Sequence, residues 1–439
     1  MRHRYRPAGH AADRLGEHSR RHPLPADAAR VSAAPAPAVS GHAIVIGAGL
    51  AGSSAAERLA ARGWKIDLID RAQAPGQGAS GNLAGVLRPL PSLDDNRLAR
   101  LTRAGFQHAC RHFEALIAAG QPLRLGRTGV LHLARDESHA AIQERVVEIR
   151  QAAADELLFV DRERARQLAG WPVTTGGWWF PGGGWVDPAS LCRANLARHA
   201  AAITPHYDTE VARIERPADL WRACDTAGRV IAEAPLLILA NATTARHFAV
   251  AAHLPLRAAR GQVSHLGATP GSAPEIVVCR LGYVTPAIDG QRCAGATFSV
   301  DDGEAALREA DHADNLARLD FILPGYGKGI QARDLAGRVG FRPLSPDRLP
   351  MIGAVGDAAA IDPDSPSRPL AGMPRVPGLY LINGFGARGI VWSALAGELL
   401  ACLITAAPLP LPDDLVGAVD PGRFLLRGRN RRLRAQPAP

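Results

Sequence analysis

Lysine is nearly absent from this chain: of 51 basic residues in 439, only Lys65 and Lys328 are lysine and the rest are arginine. We read this first as a composition bias and second as a device for holding phosphate. Cysteine is sparse and scattered, at positions 110, 192, 224, 279, 293 and 402, with no C-x-x-C pair. That argues against a zinc site or a disulfide framework and suits a reducing cytoplasm, the expected compartment. No metal is expected. The longest apolar runs, near Ile44 and Leu236, fall far short of the roughly 20 residues a bilayer span requires, so no membrane association is expected. No 7–15-residue apolar stretch follows the basic amino terminus, so no secretory signal is expected.

What charge there is lies unevenly. The formal net charge is +9, yet residues 1–40 alone carry +4 and residues 423–434 carry +6 with no acid. The remainder is close to neutral. Basic termini on a neutral body fit either a polyanionic partner, bound in a salt-dependent way, or simple solvation. Residues 1–40 are rich in Ala, Pro, Arg and His without periodicity, and are expected to be disordered. The fold should begin near His42, which is compatible with a translation start downstream of residue 1.

The strongest signal is at residues 44–71. Ile44-Val45-Ile46 leads into Gly47-x-Gly49-x-x-Gly52, a helix predicted from about Leu50 to Arg62, a strand from Trp64 to Ile69, and then Asp70. Gly47 permits a tight turn, Gly49 admits phosphate oxygens close to the backbone, and Gly52 lets helix and strand pack closely. The helix amino terminus faces the pyrophosphate. Asp70, with the adjoining Arg71, stands where a carboxylate can accept hydrogen bonds from a ribose. Gly63 is read as the end of the helix.

Further along, a polar loop from Gly76 to Gly85 offers Ser80 and Asn82 as contacts to a pyrophosphate or ring system, or as ordinary loop residues. A long helix is predicted from about Asn96 to Ala119, a strand over 124–134, and a charged helical pair over 137–170. The Trp- and Gly-rich run from Trp171 to Trp185 suggests a hairpin, its aromatics walling a pocket or simply packing. Asp187-Pro188 reads as an N-cap and first helical residue, with the helix running to about Ala201. Strand-like segments follow at 210–214, 230–231 and 235–240, the last a buried parallel strand that ends in small residues. More occupy 255–340, with Asp289-Gly290 as a hairpin turn. A second glycine-rich element, Leu379 through Gly384-Phe385-Gly386 to Gly389, again runs from strand through glycines into a helix, predicted from about Ile390 to Thr405. His42, His206, His247 and His265 show no shared pattern and receive no catalytic role.

The fold class expected is α/β: a discontinuous Rossmann-like dinucleotide-binding domain with an inserted antiparallel-sheet α+β substrate domain. The binding domain is assigned to residues 41–120, 186–255 and 340–408, the substrate domain to 121–185 and 256–339, and a basic tail to 409–439.

Taken together, the fingerprint with Asp70, Val186-Asp187-Pro188, Leu236 to Asn241, Arg260-Gly261-Gln262, Gly295-Ala296-Thr297 and Gly384-Phe385-Gly386 resemble the flavoprotein family of D-amino-acid, glycine and sarcosine oxidases over about residues 42–405. A narrower resemblance rests on Gly78-Ala79-Ser80-Gly81-Asn82-Leu83-Ala84-Gly85, Gly282-Tyr283-Val284-Thr285-Pro286 and Gly384-Phe385-Gly386-Ala387-Arg388-Gly389-Ile390. These strings are similar to the carboxy-terminal oxidoreductase domain of the MnmC family of bifunctional tRNA-modifying proteins.

That resemblance implies FAD as cofactor, held by Gly47, Gly49, Gly52, Asp70, Arg71, Ser80, Asn82, Gly384, Gly386 and Gly389. It implies a tRNA anticodon loop as partner and, as substrate, a wobble uridine bearing a carboxymethylaminomethyl group. Oxidation of its N–CH2 carbon, with O2 as acceptor, would release glyoxylate. It matches Arg342, in Gly340-Phe341-Arg342-Pro343, to a substrate-carboxylate arginine and Tyr283 to a tyrosine sharing that duty. Arg388, in the late glycine loop, is a further candidate for the catalytic site. Members of the narrower family carry a methyltransferase domain ahead of the flavoprotein domain. Only about 40 residues precede it here, so no S-adenosylmethionine chemistry is expected, and a separate methyltransferase would act downstream. The arginines at 423, 427, 429, 431, 432 and 434 could hold RNA phosphates. A free amino-acid, glycine or sarcosine oxidase without an RNA partner is the alternative, and a non-catalytic flavin-binding, RNA-associated protein a third.

Overall fold

The computed structural model describes residues 41–361 and 369–427. A continuous apolar strand can only be buried on both faces, and His42–Ile46 is. It lies inside a six-stranded sheet ordered Met351–Gly356, Arg375–Asn383, Leu236–Leu239, His42–Ile46, Lys65–Ile69, Ile203–His206. Its pairings with Leu236–Leu239 and Lys65–Ile69 are parallel, and Met351–Gly356 alone runs antiparallel to its neighbour. Side chains alternate across the sheet. Ala43 and Val45 pack under the helices Leu50–Ala60 and Gly389–Thr405, whereas Ile44 and Ile46 pack against Trp221, Ala223, Ala232 and Ala234. Those four belong to a meander of strands Arg213–Glu215, Trp221–Cys224 and Val230–Ala234. The sheet thus draws on the first, middle and last parts of the chain.

The helix ends follow local chemistry. Asn96 caps Arg97–Ala118 through a bond from the Ala99 N–H at 3.1 Å, and Asp187 caps Pro188–Arg198 through the Ser190 N–H at 3.0 Å. Gly63 has a φ of +83° just past Leu50–Ala60, where the last turn closes through Gly63 N–H to Ala60 O.

A second, nine-stranded sheet holds Arg257–Gly267 at its heart. That strand pairs antiparallel with Ala336–Leu344 from Arg257↔Leu344 through His265↔Ala336, and on its other edge with Gln291–Gly295 and Ser299–Val300. Asp289 and Gly290, at φ +50° and +75°, make the expected hairpin turn.

Several expectations are corrected. The Trp171–Trp185 run is no hairpin. Gly177–Phe180 joins the nine-stranded sheet between Val130–Leu133 and Leu158–Val160, whereas Gly184–Val186 joins a small sheet with Gly85–Leu87 and Leu125–Gly126. A β-carbon on Gly177 or Gly184 would overlap a neighbouring carbonyl, so these glycines serve close strand approach. The charged pair over 137–170 is two helices, Glu137–Arg150 and Arg162–Ala169, with the strand Leu158–Val160 between them. His42 and His206 do share a pattern: both bind Asp67 across three adjacent strands, at 2.6 and 2.7 Å.

Residues 409–427 are not a loose tail. Leu411, Leu415 and Val419 enter the core. Arg423 is 4 % exposed and forks onto Asp347 at 3.0 Å through both Nε and Nη2, with Arg427 on the same carboxylate at 2.6 Å. Arg423 is thus taken up inside the fold, while Arg427 is exposed; Arg429, Arg431, Arg432 and Arg434, and the disordered segment expected over 1–40, lie outside the described residues. One segment among the described residues, Gly386–Thr405, is long and apolar enough to cross a membrane, contrary to the reading of the apolar runs, and 67 % of its most apolar window is buried inside the fold.

Candidate functional site

The Gly47 turn is built by close contact. Gly47 has a φ of +106°, and a β-carbon there would fall 2.7 Å from the Ala240 carbonyl oxygen. A β-carbon on Gly52 would overlap the Gly47 carbonyl oxygen itself, so the helix seats against the turn only because Gly52 has no side chain. Gly49 caps the helix without a side-chain bond, which leaves its first turn to face a cleft. This cleft, of about 640 Å³, passes Gly47, Gly49, Asp70, Arg71, Ser80 and Asn82, then Asn241 to Thr244, and reaches Arg342, Gly384, Gly386 and Gly389. Gly384 and Gly386 have φ of +74° and +55°, so this turn too needs glycine before the helix Gly389–Thr405 begins.

Asp70 is fixed against the turn: Oδ2 accepts the Ala48 N–H at 2.6 Å and Oδ1 the Ala72 N–H at 2.8 Å. A carboxylate can accept about four hydrogen bonds, so capacity for ribose hydroxyls remains. Ser80 Oγ accepts the Leu50 N–H at 3.1 Å, at the first residue of the fingerprint helix. The two glycine turns, the helix terminus and the acid therefore form one continuous cradle whose shape and donor set fit a dinucleotide. Gly52 stands behind the turn rather than in the cleft wall, which is the packing role read from sequence.

Arg342 lines the cleft with two further arginines, Arg71 and Arg338. From Ala336–Leu344 its guanidinium crosses the face of the neighbouring strand over Gly261, and Nη1 donates to the Thr297 carbonyl at 3.4 Å. It forms no ion pair among the described residues. Burial pushes its pKa below the usual arginine range, and neighbouring Tyr283 opposes that shift. Tyr283 does not line the cleft; burial pushes its phenol well up, and its hydroxyl lies 3.5 Å from the Ala84 carbonyl. Arg388 does not line the cleft either. It is half-buried at the N-cap of Gly389–Thr405, its pKa lowered by burial and by Arg88 and Arg348.

Arg338 was not read from the sequence. Its Nη2 donates to the Gln77 and Gly78 carbonyls, both at 2.5 Å, and Nη1 to Asn82 Oδ1 at 3.5 Å, so it clamps the 76–85 loop over the cleft. The available signal was alternation: residues 338, 340 and 342 share one face of a strand. His247 and Phe248, on the short turn Ala242–His247 and just beyond it, also line the cleft. None of the tryptophans does. No cluster of three or more metal-ligating side chains occurs among the described residues.

Residues 42–403 match the family model described as FAD dependent oxidoreductase. The chain is 59 % identical over 394 residues to the "tRNA 5-methylaminomethyl-2-thiouridine biosynthesis bifunctional protein MnmC" of Aromatoleum aromaticum, covering 90 % of this chain and 61 % of that protein. It is 54 % identical to the protein of the same name from Azoarcus sp. strain BH72, with the same coverage. The chain thus spans about three-fifths of the length of these relatives. Among solved structures it is similar to glycine oxidase from Geobacillus kaustophilus, with a TM-score of 0.69 at 20 % identity over 85 % of this chain and 96 % of that one. It is also similar to iminodiacetate oxidase from Chelativorans sp. BNC1, with a TM-score of 0.67 at 25 % identity over 86 % and 98 %.

Proposed function

Because the chain belongs to the FAD dependent oxidoreductase family, and is therefore an FAD-using enzyme of the class that oxidises CH–NH groups, we propose that it removes the carboxymethyl group from 5-carboxymethylaminomethyl-uridine, or its 2-thio form, at the wobble position of tRNA. The observation that carries this reading is the half-buried guanidinium of Arg342 in the cleft, which has no ion-pair partner among the described residues. Such a group is costly unless an anion meets it, and a planar guanidinium matches a carboxylate through two parallel hydrogen bonds.

The substrate side chain is a secondary amine whose nitrogen bears CH2–COO⁻. Arg342 binds that carboxylate, and Tyr283 stands beside the clamp, outside the cleft wall. Fixing the carboxylate places the adjoining N–CH2 carbon at a set distance from the clamp, which is the orientational work asked of the protein. FAD, when bound, would supply a two-electron acceptor that O2 could reoxidise with formation of hydrogen peroxide. Oxidation would convert the N–CH2 bond to an imine, and addition of water would then break the C–N bond to give glyoxylate and aminomethyl-uridine. The cradle formed by Gly47, Gly49, Asp70, Arg71, Ser80 and Asn82 would hold one end of the dinucleotide, and Gly384, Gly386 and Gly389 would receive the other. The relatives' name carries a methyl group on the product amine, a transfer beyond the oxidation proposed here.

The chemical fragment favours a second reading. Iminodiacetate, for which the Chelativorans oxidase is named, is also a carboxymethyl amine, so a free small amine is the competing substrate. Mass spectrometry of wobble nucleosides from a strain lacking the gene separates the two. The tRNA reading expects the carboxymethylaminomethyl nucleoside to accumulate; an unchanged nucleoside profile would overturn it.

A further inference from the structure

Three arginines outside the cleft wall stand on segments that meet at the start of the helix Gly389–Thr405. Arg388 is the N-cap of Gly389–Thr405. Arg88 follows the strand Gly85–Leu87, which presses on that helix's first turn: a β-carbon on Gly85 would overlap Ile390 Cδ1. Arg348 sits in the turn after Ala336–Leu344, at a φ of +61°, and the Leu344↔Phe385 bridge fastens that turn beside the same N-cap. Arg88 and Arg388 are half-buried and Arg348 is exposed.

None of them forms an ion pair among the described residues. The carboxylate next along the chain, Asp347, is already taken by Arg423 and Arg427. Arg88 donates to its neighbour's carbonyl, Pro89 O, at 3.0 Å and stands 5.7 Å from the Phe180 ring centre. Elsewhere on this protein arginine is regularly matched with acid, as at Arg100–Asp414, Arg103–Asp95 and Arg375–Asp420. Three like charges at a helix amino terminus, itself positive, repel one another until an anion arrives. The cleft assigned to the dinucleotide is lined by none of the three, and the substrate carboxylate is assigned to Arg342.

We propose that Arg88, Arg348 and Arg388 form a phosphate-binding step at the entrance to the substrate site, which grips the RNA backbone beside the wobble nucleotide. This rests on the tRNA reading above. It explains how a small carboxylate clamp is reached by one base of a large polyanion: the flanking phosphate is held while the modified base enters.

The test is binding of an anticodon stem-loop RNA to the FAD-loaded enzyme across a salt series, for wild type, Arg348→Gln, Arg348→Glu and Arg88→Gln, with oxidation of the free carboxymethylaminomethyl nucleoside measured on wild type and the two Arg348 variants. Each Gln variant should raise Kd on the order of tenfold and flatten the slope of log K against log salt by about 0.7. Arg348→Glu should weaken binding further. The flavin spectrum and the nucleoside rate of the Arg348 variants should match wild type. Wild-type-like RNA affinity and salt slope in all three variants would overturn the phosphate step while leaving the tRNA reading intact. Loss of nucleoside oxidation in Arg348→Gln would overturn it in favour of a role at the reacting group. Failure of the wild-type enzyme to bind or oxidise tRNA would instead remove the function on which the step rests.

Discussion

The guanidinium of Arg342 lies over Gly261, close enough that a β-carbon on the glycine would fall 2.6 Å from Cζ. The arginine's reach across its neighbouring strand therefore depends on a residue that never touches substrate. Gly261→Ala should tilt the guanidinium out of place, raise KM for the carboxylate substrate about tenfold and leave FAD content unchanged. Arg342→Met should lower kcat/KM about 10- to 100-fold, the worth of charged hydrogen bonds to one carboxylate. Steady-state kinetics with flavin content measured in parallel checks both.

Gly52 tests the cofactor cradle separately. Its absent side chain leaves room for the Gly47 carbonyl oxygen. Gly52→Ala should force helix and turn apart and reduce bound flavin per mole of purified protein at least several-fold. Near-stoichiometric flavin in this variant would contradict the packing role.

Acid should destabilise the fold in two stages. His112, whose Nε2 bonds Asn195 Oδ1 at 2.8 Å beside Arg58, is pushed by burial and by Arg58 down to about 3, and His108 to about 4 for the same reasons. Both are neutral in the folded protein, while the unfolded chain takes up their protons near the usual 6.5. Stability is thus full above about pH 6.5 and falls as pH drops toward 4, by on the order of 2 kcal/mol for each histidine. Asp347 acts later. Burial would raise its pKa, but Arg423 and Arg427 hold it down at about 2, so its contribution is lost only below the usual 3.8. Urea unfolding at a series of pH values should show the first stage flattened in His112→Gln and the second unchanged.

The Asp347–Arg423 fork ties the last described segment to the turn that carries Arg348. Asp347→Ala leaves a buried guanidinium without its partner and should cost about 3–5 kcal/mol. Thermal unfolding of the holoenzyme measures this, and a loss under about 1 kcal/mol would mean that the segment is held by Leu411, Leu415 and Val419 alone.

The parts of this fold that sequence revealed are those with a local cause. Asn96 and Asp187 announce helix starts because a cap acts within three residues, and Asp289-Gly290 announces a turn because few residues tolerate both of its dihedrals. The glycine fingerprint is legible because turn, helix and acid lie within one βαβ unit. What stayed hidden depends on partners distant in the chain. The Trp171–Trp185 segment has hairpin composition, yet its two strands are claimed by different sheets. His42 and His206 meet on Asp67 only because three parallel strands fall in register. Arg423 looks like part of a basic tail until Asp347 is brought to it, and Arg338 is one arginine among dozens until the 76–85 loop folds beneath it.

Anaerobic titration of the FAD-loaded enzyme, followed by its visible absorbance, tests the central claim most directly. Wobble-carboxymethylaminomethyl tRNA should bleach the flavin with release of one glyoxylate per flavin reduced, while glycine, sarcosine and D-amino acids should leave it oxidised at comparable concentrations. Rapid bleaching by the free amines with none by the tRNA would contradict the account.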